Sequence, residues 1–324
     1  MKKYLKILII FALSFLVSMQ TFGQGMEWDD DWGWDDWWDP PWDPYDDWDD
    51  DYPDYCWCQG PCTCGLGGGT GGYTLPKCPN GKIELLNIMT YNIEKRNYRE
   101  NGFIMATGRT DVVAVQEIHG VSNFETLTQR AGMDGHFYPI INNWFWKFGI
   151  GLLWKSHLGT PKITRNKFYT PDDTYDSERG YIIAEFCDFI IVVSHFPAGE
   201  KNNNAEKKKM TEKILGESII QNTNKPVFIA ADFNFSPHSS NLLNPFTTDG
   251  FNVLNDTTRY FNANENKWYY YHTTTDDGRM PDMIMLKQNS LNYEIMWRGI
   301  PENAKPVHTY SDHLPYVVKL KLIE

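Results

Sequence analysis

No stretch of this chain is long and apolar enough to cross a bilayer. Its leading apolar run, Ile7 to Val17, holds eleven residues and is interrupted by Ser14. As a helix it would cover about 16 Å, roughly half a hydrocarbon core. Lys2, Lys3 and Lys6 precede it, and the small residues of Thr21-Phe-Gly23 follow. That pattern reads as an export signal cleaved near Gly23–Gln24, not as an anchor. Cysteine is scarce, six in 324 residues, and none stand as C-x2-C pairs, which excludes the common zinc modules. Internal repeats are missing, so solenoids and propellers are excluded. Positive charge is also short, with 30 basic against 42 acidic residues and a net −12.

That acidity is local. Fourteen of the acidic residues lie between Gln24 and Lys77; setting them aside with the four lysines before residue 80 leaves Asn80–Glu324 at −2. A nearly neutral domain argues against an extended electrostatic grip on a duplex. Residues 24–55 are a Trp/Asp-rich, low-complexity acidic segment with seven tryptophans. Its aspartates and prolines oppose helix, so it reads as a solvated tail, or as a surface-binding or calcium-binding tether. Cys56-Trp-Cys58-Gln-Gly-Pro-Cys62-Thr-Cys64 and a glycine linker fill residues 56–79. In an exported chain disulfides are the default for such a cluster, with a small metal knot as the other reading. Cys187 reads as a buried free thiol within an apolar strand.

Residues 80–324 fit one domain with an extensive core. Strands are expected at Ile83–Tyr91, Val112–Val115, Ile150–Trp154, Tyr181–Phe186, Phe189–Ser194, Val227–Ala230, Met283–Leu286 and Tyr316–Leu320. Several are continuous apolar runs, as strands covered on both faces require. Helices are expected at Asn123–Ala131, behind a Ser122/Glu125 capping box, and at Asn204–Ile220. The expected fold class is α/β, with sheets and helices in layers.

The chemistry sits where strands end. Leu86-Asn-Ile-Met-Thr-Tyr-Asn92-Ile-Glu94, Val112-Val-Ala-Val-Gln-Glu117, Ile191-Val-Val-Ser-His195 and Phe228-Ile-Ala-Ala-Asp232-Phe-Asn234 each close an apolar run with polar groups. Asp282 and Ser311-Asp312-His313 stand just ahead of two further strands. Hard divalent cations take oxygen ligands of this kind, and imidazoles can carry charge or protons to a phosphate. Six such segments in one domain point to metal-assisted phosphate-ester hydrolysis.

In this order the segments resemble the endonuclease/exonuclease/phosphatase superfamily, which includes deoxyribonuclease I and exonuclease III. The most specific matches are Val-Gln-Glu117, Ala-Asp232-Phe-Asn234 and Ser311-Asp312-His313-Leu-Pro315, and coverage runs from about Ile83 to Leu322. The resemblance implies a four-layered sandwich: two packed mixed β-sheets flanked by helices, with the cleft at one edge. It implies Mg²⁺ or Mn²⁺, with Ca²⁺ also suitable, held by Asn92, Glu94, Glu117 and Asp312. Asp232 and Asn234 would orient or deprotonate water, Asp282 would pair with His313, and His195 would be a phosphate ligand or proton donor. Arg179 and Lys147 are candidate phosphate contacts. Members with a glutamate near the strand at Ile150–Trp154 differ from this chain, which has Trp144-Phe-Trp-Lys-Phe148 there.

The expected activity is a secreted metal-dependent nuclease, monomeric, acting on extracellular DNA or RNA. A phospholipid or small-molecule phosphoesterase on the same site is one alternative, and a surface-binding protein using the acidic tail is another. Lys201, Lys207, Lys208, Lys209 and Lys213 read as a solvated helix face, or as contacts to a nucleic-acid backbone.

Overall fold

The computed structural model describes residues 56–57, 83–94, 98–107, 109–142, 147–169, 178–198, 203–263, 267–275, 278–304 and 311–323. The export signal, the acidic segment and most of the cysteine and glycine stretch lie outside them. None of the described helices is long and apolar enough to cross a membrane.

Fifteen strands are present among the described residues: β1 (Cys56–Trp57), β2 (Leu85–Asn92), β3 (Val112–His119), β4 (Asp134–Asn142), β5 (Lys147–Trp154), β6 (Lys162–Tyr169), β7 (Glu178–Glu185), β8 (Ile190–His195), β9 (Val227–Asp232), β10 (Asn252–Val253), β11 (Arg259–Asn262), β12 (Lys267–Tyr270), β13 (Asp282–Lys287), β14 (Asn292–Gly299) and β15 (Tyr316–Ile323). The helices are α1 (Tyr98–Thr107), α2 (Val121–Ala131), α3 (Asn203–Leu215), α4 (Ser218–Gln221) and α5 (Ser240–Thr248). One sheet runs β1-β4-β5-β3-β2-β15-β14 and the other β10-β13-β9-β8-β7-β6, while β11 and β12 form a separate two-stranded ribbon.

The two large sheets pack face to face over Ile88, Ala114, Leu152, Trp154, Ile191, Phe228, Ile284 and Val318. Their outer faces are covered separately. Met89, Val113 and Val115 meet Ile104 and Met105 of α1 and Phe124 and Leu127 of α2. Val192, Ile229 and Met285 meet Met210 and Ile214 of α3 and Phe246 of α5. This is the expected helix–sheet–sheet–helix sandwich. Truncating a large inner residue such as Trp154 or Phe228 to alanine should cost about 3–5 kcal/mol.

Each sheet contains one parallel pair, β2 with β3 and β8 with β9. The carboxyl ends of these four strands fall at one rim, where Asn92 of β2 meets Asp232 of β9 and Glu117 of β3 meets His195 of β8. β13 and β15 run antiparallel to β9 and β2, so their amino ends reach the same rim. Topology and the packing of the two sheets together gather the polar strand ends.

Three local expectations are corrected. The helix expected at Asn204–Ile220 is interrupted after Leu215, where Gly216 and Glu217 separate α3 from α4. No capping box forms: α2 starts earlier, at Val121, with Gly120 as N-cap and no side-chain cap bond. Cys187 lies in the half-buried bend between β7 and β8, not within a strand, and it is disulfide-bonded.

Candidate active site

Alternation along the strands decides which groups face inward. Phe228 and Ala230 belong to the inter-sheet core, so Asp232 points the same way. By the same count His195 follows Ile191 and Val193, Asn92 follows Leu86 and Ile88, and Asp282 leads Ile284 and Leu286. In register, Asp232 stands beside His195 on one side and Asp282 on the other.

Glu117 breaks that count. Val112 and Ala114 face inward, so Glu117 should face the outer helices. The β3–β5 register instead shifts between Val115 and Ile118, leaving one extra residue in β3. Glu117 adopts φ +60° in this bulge and turns back to the rim. Glu94 (φ +45°) and Asn234 (φ +51°) are left-handed as well. Three of the five such non-glycine residues described are candidate site residues, and strain of this kind concentrates where geometry must be held for function.

The side chains interlock across the two sheets. The Asn92 amide donates to Glu117 Oε1 at 3.2 Å and to Asp232 Oδ2 at 3.0 Å, while its oxygen accepts the Glu94 N–H at 3.0 Å. The Asn234 N–H donates to Asp232 Oδ1 at 2.8 Å. The Asn234 amide donates to the Phe196 carbonyl at 2.9 Å and stands 3.2 Å from His195 Nε2. That imidazole nitrogen is 3.5 Å from Asp232 and 3.9 Å from Glu117. His313 Nδ1 lies 2.7 Å from Asp282 Oδ2, and its Nε2 is 3.9 Å from Asp232 and 3.7 Å from Asp312. Ser311 ties the His313 loop to β2: its hydroxyl donates to the Asn92 carbonyl at 2.8 Å and accepts the His313 N–H at 3.0 Å. The Asp312 N–H donates to Glu94 at 3.2 Å.

The electrostatics follow from this packing. Burial alone would raise the Asp232 carboxyl, but His313, His195, the Asn92 amide and the Asn234 N–H outweigh it and hold it below the usual carboxylate range. Burial pushes the Asp282 carboxyl up to about 6 despite the neighbouring imidazole. Burial would lower His313, yet Asp282, Asp232 and Asp312 together push it up to about 10, so it is a cation at neutral pH.

Two groups could hold a metal. Asp232, Asp282 and His313 place ligand atoms within 4.8 Å of one another. His313 Nδ1 is already committed to Asp282, so this group would offer one imidazole nitrogen beside the Asp232 and Asp282 oxygens. The chemistry of the second set fits a hard cation better: the carboxylates of Glu117, Glu94 and Asp312 with the Asn92 amide oxygen are all oxygen donors, and Asp312 opens to solvent.

Nine of the eleven candidates therefore converge at one rim. Arg179 does not join them: it is buried in phase with Tyr181 and Ile183, on the face of β7 turned towards α3. The Lys147 side chain and Trp144 to Trp146 lie outside the described residues. Phe148 is described, with its ring 6.1 Å from that of His195. The solvated-face reading of Lys207 is corrected. This lysine is buried and donates from Nζ to the Asn234 carbonyl at 2.7 Å, bracing that left-handed residue from below. Nothing in the alternation of charges along α3 signalled it.

Residues 89–313 match the endonuclease/exonuclease/phosphatase family. An endonuclease/exonuclease/phosphatase from Bacteroides vulgatus has a similar structure, at TM-score 0.58 and 18% identity, over 74% of this chain and 100% of that one. ANGEL2, a 2′,3′-cyclic phosphatase solved with adenosine-2′,3′-vanadate, is similar at TM-score 0.55 and 11% identity, over 74% and 96%. A humanized D. rerio TDP2 is similar at 0.54 and 17%, over 73% and 99%. At these identities the likeness is one of fold. A search of curated protein sequences finds no match.

Proposed function

The chain belongs to the endonuclease/exonuclease/phosphatase family, a family of phosphoesterases, and from that premise we propose that it is an exported, divalent-metal-dependent nuclease. The observation that carries this reading is the meeting of Asn92 and Glu117 from one sheet with His195 and Asp232 from the other, all within 3.9 Å of a neighbour.

Asp232 stays ionised and is aimed by the Asn92 amide and the Asn234 N–H, so it can orient water and accept its proton. The His313 cation, held by Asp282, faces the same point and would meet a phosphoryl oxygen as negative charge builds there. His195, between Asp232 and Glu117, is placed to contact the phosphate or to return a proton to the leaving oxygen. Glu117, Glu94, Asp312 and Asn92 would hold Mg²⁺ or Mn²⁺, which supplies Lewis-acid charge stabilisation when bound. Two observations support export: the leading Lys-rich apolar segment and the oxidised Cys187, since disulfides persist in oxidising compartments.

The test offers purified protein a plasmid, RNA, sphingomyelin and a bis-aryl phosphate, each with Mg²⁺ and with chelator. Metal-dependent cleavage of nucleic acid is expected. Cleavage of sphingomyelin or the aryl diester with intact plasmid and RNA would favour the phospholipid or small-ester reading and reject the nuclease.

A further inference from the structure

Beside the cleft, β11 and β12 form a ribbon hydrogen-bonded to neither large sheet. Its register pairs Arg259 with Tyr270, Tyr260 with Tyr269, and Phe261 with Trp268. One flank therefore carries Arg259, Phe261, Trp268 and Tyr270. Phe261 and Trp268 lie 5.3 Å apart between ring centroids, and the Arg259 guanidinium sits 5.2 Å over Trp268 and 6.0 Å from Tyr270. Both outer rings stay open to solvent, Phe261 at 46% and Trp268 at 53%.

The flank leads into the cleft. Tyr270 is buried, its hydroxyl hydrogen-bonds Ser236, and its ring stacks on His238 at 5.6 Å. Ser236 is two residues beyond Asn234. Five residues after Tyr270, Thr275 bridges to His313. The base of the ribbon is thus fixed to segments on both sides of the catalytic constellation, with Phe261 and Trp268 two residues further along its strands.

We propose that this flank is a stacking platform for the unpaired bases of a single-stranded nucleic acid whose backbone enters the cleft. The assignment rests on the reading of the cleft as a phosphodiester hydrolase. Aromatic faces interleaved with Arg259 match bases and phosphates in alternation, and every unpaired base offers a π-face. A duplex hides those faces within its own stack. Insertion into a lipid surface fits less well. The residues connecting the strands read Ala263-Asn-Glu-Asn266, mostly polar and with an acid, whereas an inserting element leads with apolar side chains.

The experiment measures binding of the full chain to a short fluorescent single strand and to the matching duplex, in chelator so that no turnover is needed. Tighter binding of the single strand is expected. Phe261→Ala and Trp268→Ala should each weaken it about tenfold or more, while Trp268→Phe stays close to the parent. Unchanged melting temperatures confirm the fold, and Phe261→Ala serves if the tryptophan variant unfolds. Equal binding by parent and variants, or equal binding of strand and duplex, overturns the platform. So does tight binding to phosphatidylcholine vesicles that is lost in Trp268→Ala while strand binding persists. Absence of hydrolysis by the parent with metal would count against the hydrolase reading alone.

Discussion

The imidazole of His313 and the carboxylate of Asp282 meet at 2.7 Å, the carboxylate buried at the start of β13 and the histidine on the loop before β15. Such a pair acts as one unit: the carboxylate fixes the ring and sustains its charge. Asp282→Asn and His313→Ala should each lower kcat about 10² or more with little change in KM. The double variant should lose scarcely more than the worse single one. Additive losses in steady-state kinetics would show that the two residues act independently.

Asn234 needs both its left-handed backbone and its amide. Asn234→Gly keeps the first, and Asn234→Ala keeps neither without strain. Thermal melts should find the alanine variant less stable than the glycine variant by about 1 kcal/mol. Both should lose turnover, because the amide beside His195 is gone in each. Equal stabilities would deny that φ +51° carries a cost here.

Lys207 buries a charge to brace the Asn234 carbonyl. Lys207→Met would leave that carbonyl unsatisfied and should cost about 1–3 kcal/mol of stability. A fall in kcat is also expected, since Asn234 would lose its support. Normal kcat in a variant that is merely less stable would reduce Lys207 to a packing role.

His238, stacked on Tyr270 at the base of the ribbon, is held below its ordinary value of 6.5 by burial and then by the Arg259 charge. The unfolded chain therefore binds more protons as pH falls through that window. The contribution of this histidine to stability is complete above about 6.5 and declines on acidification through the folded pKa. An NMR titration should place its midpoint under that of a free histidine. A midpoint at or above it would contradict the packing of Arg259 and Tyr270 around the ring.

Asp232 was legible in the sequence because a buried strand of period 2 that ends in a carboxylate must aim it with the core residues before it. The same holds for His195 and Asn92. Glu117 was legible as a residue but not in direction, since plain alternation points it away and only the bulge brings it back. Lys207 was hidden because a lysine among lysines looks solvated until a buried carbonyl is known to face it. Cys187 follows an apolar run that stops two residues earlier than composition suggests, so its bend was missed. The strand β4 was obscured by Gly135 and Pro139, both poor strand residues, and α1 by apolar residues bunched at one end without helical period. Exposed β14 lies at a sheet edge, where burial imposes little pattern.

The most direct test follows phosphodiester hydrolysis by the parent, Glu117→Gln and Asp232→Ala across a Mg²⁺ or Mn²⁺ titration that ends in chelator. The parent should fall silent without metal, Glu117→Gln should need about tenfold more metal or stay inactive, and Asp232→Ala should lose about 10² or more in kcat at saturating metal. Turnover indifferent to chelator, or kept in full by both variants, would contradict a cation and a carboxylate working on one phosphate at this rim.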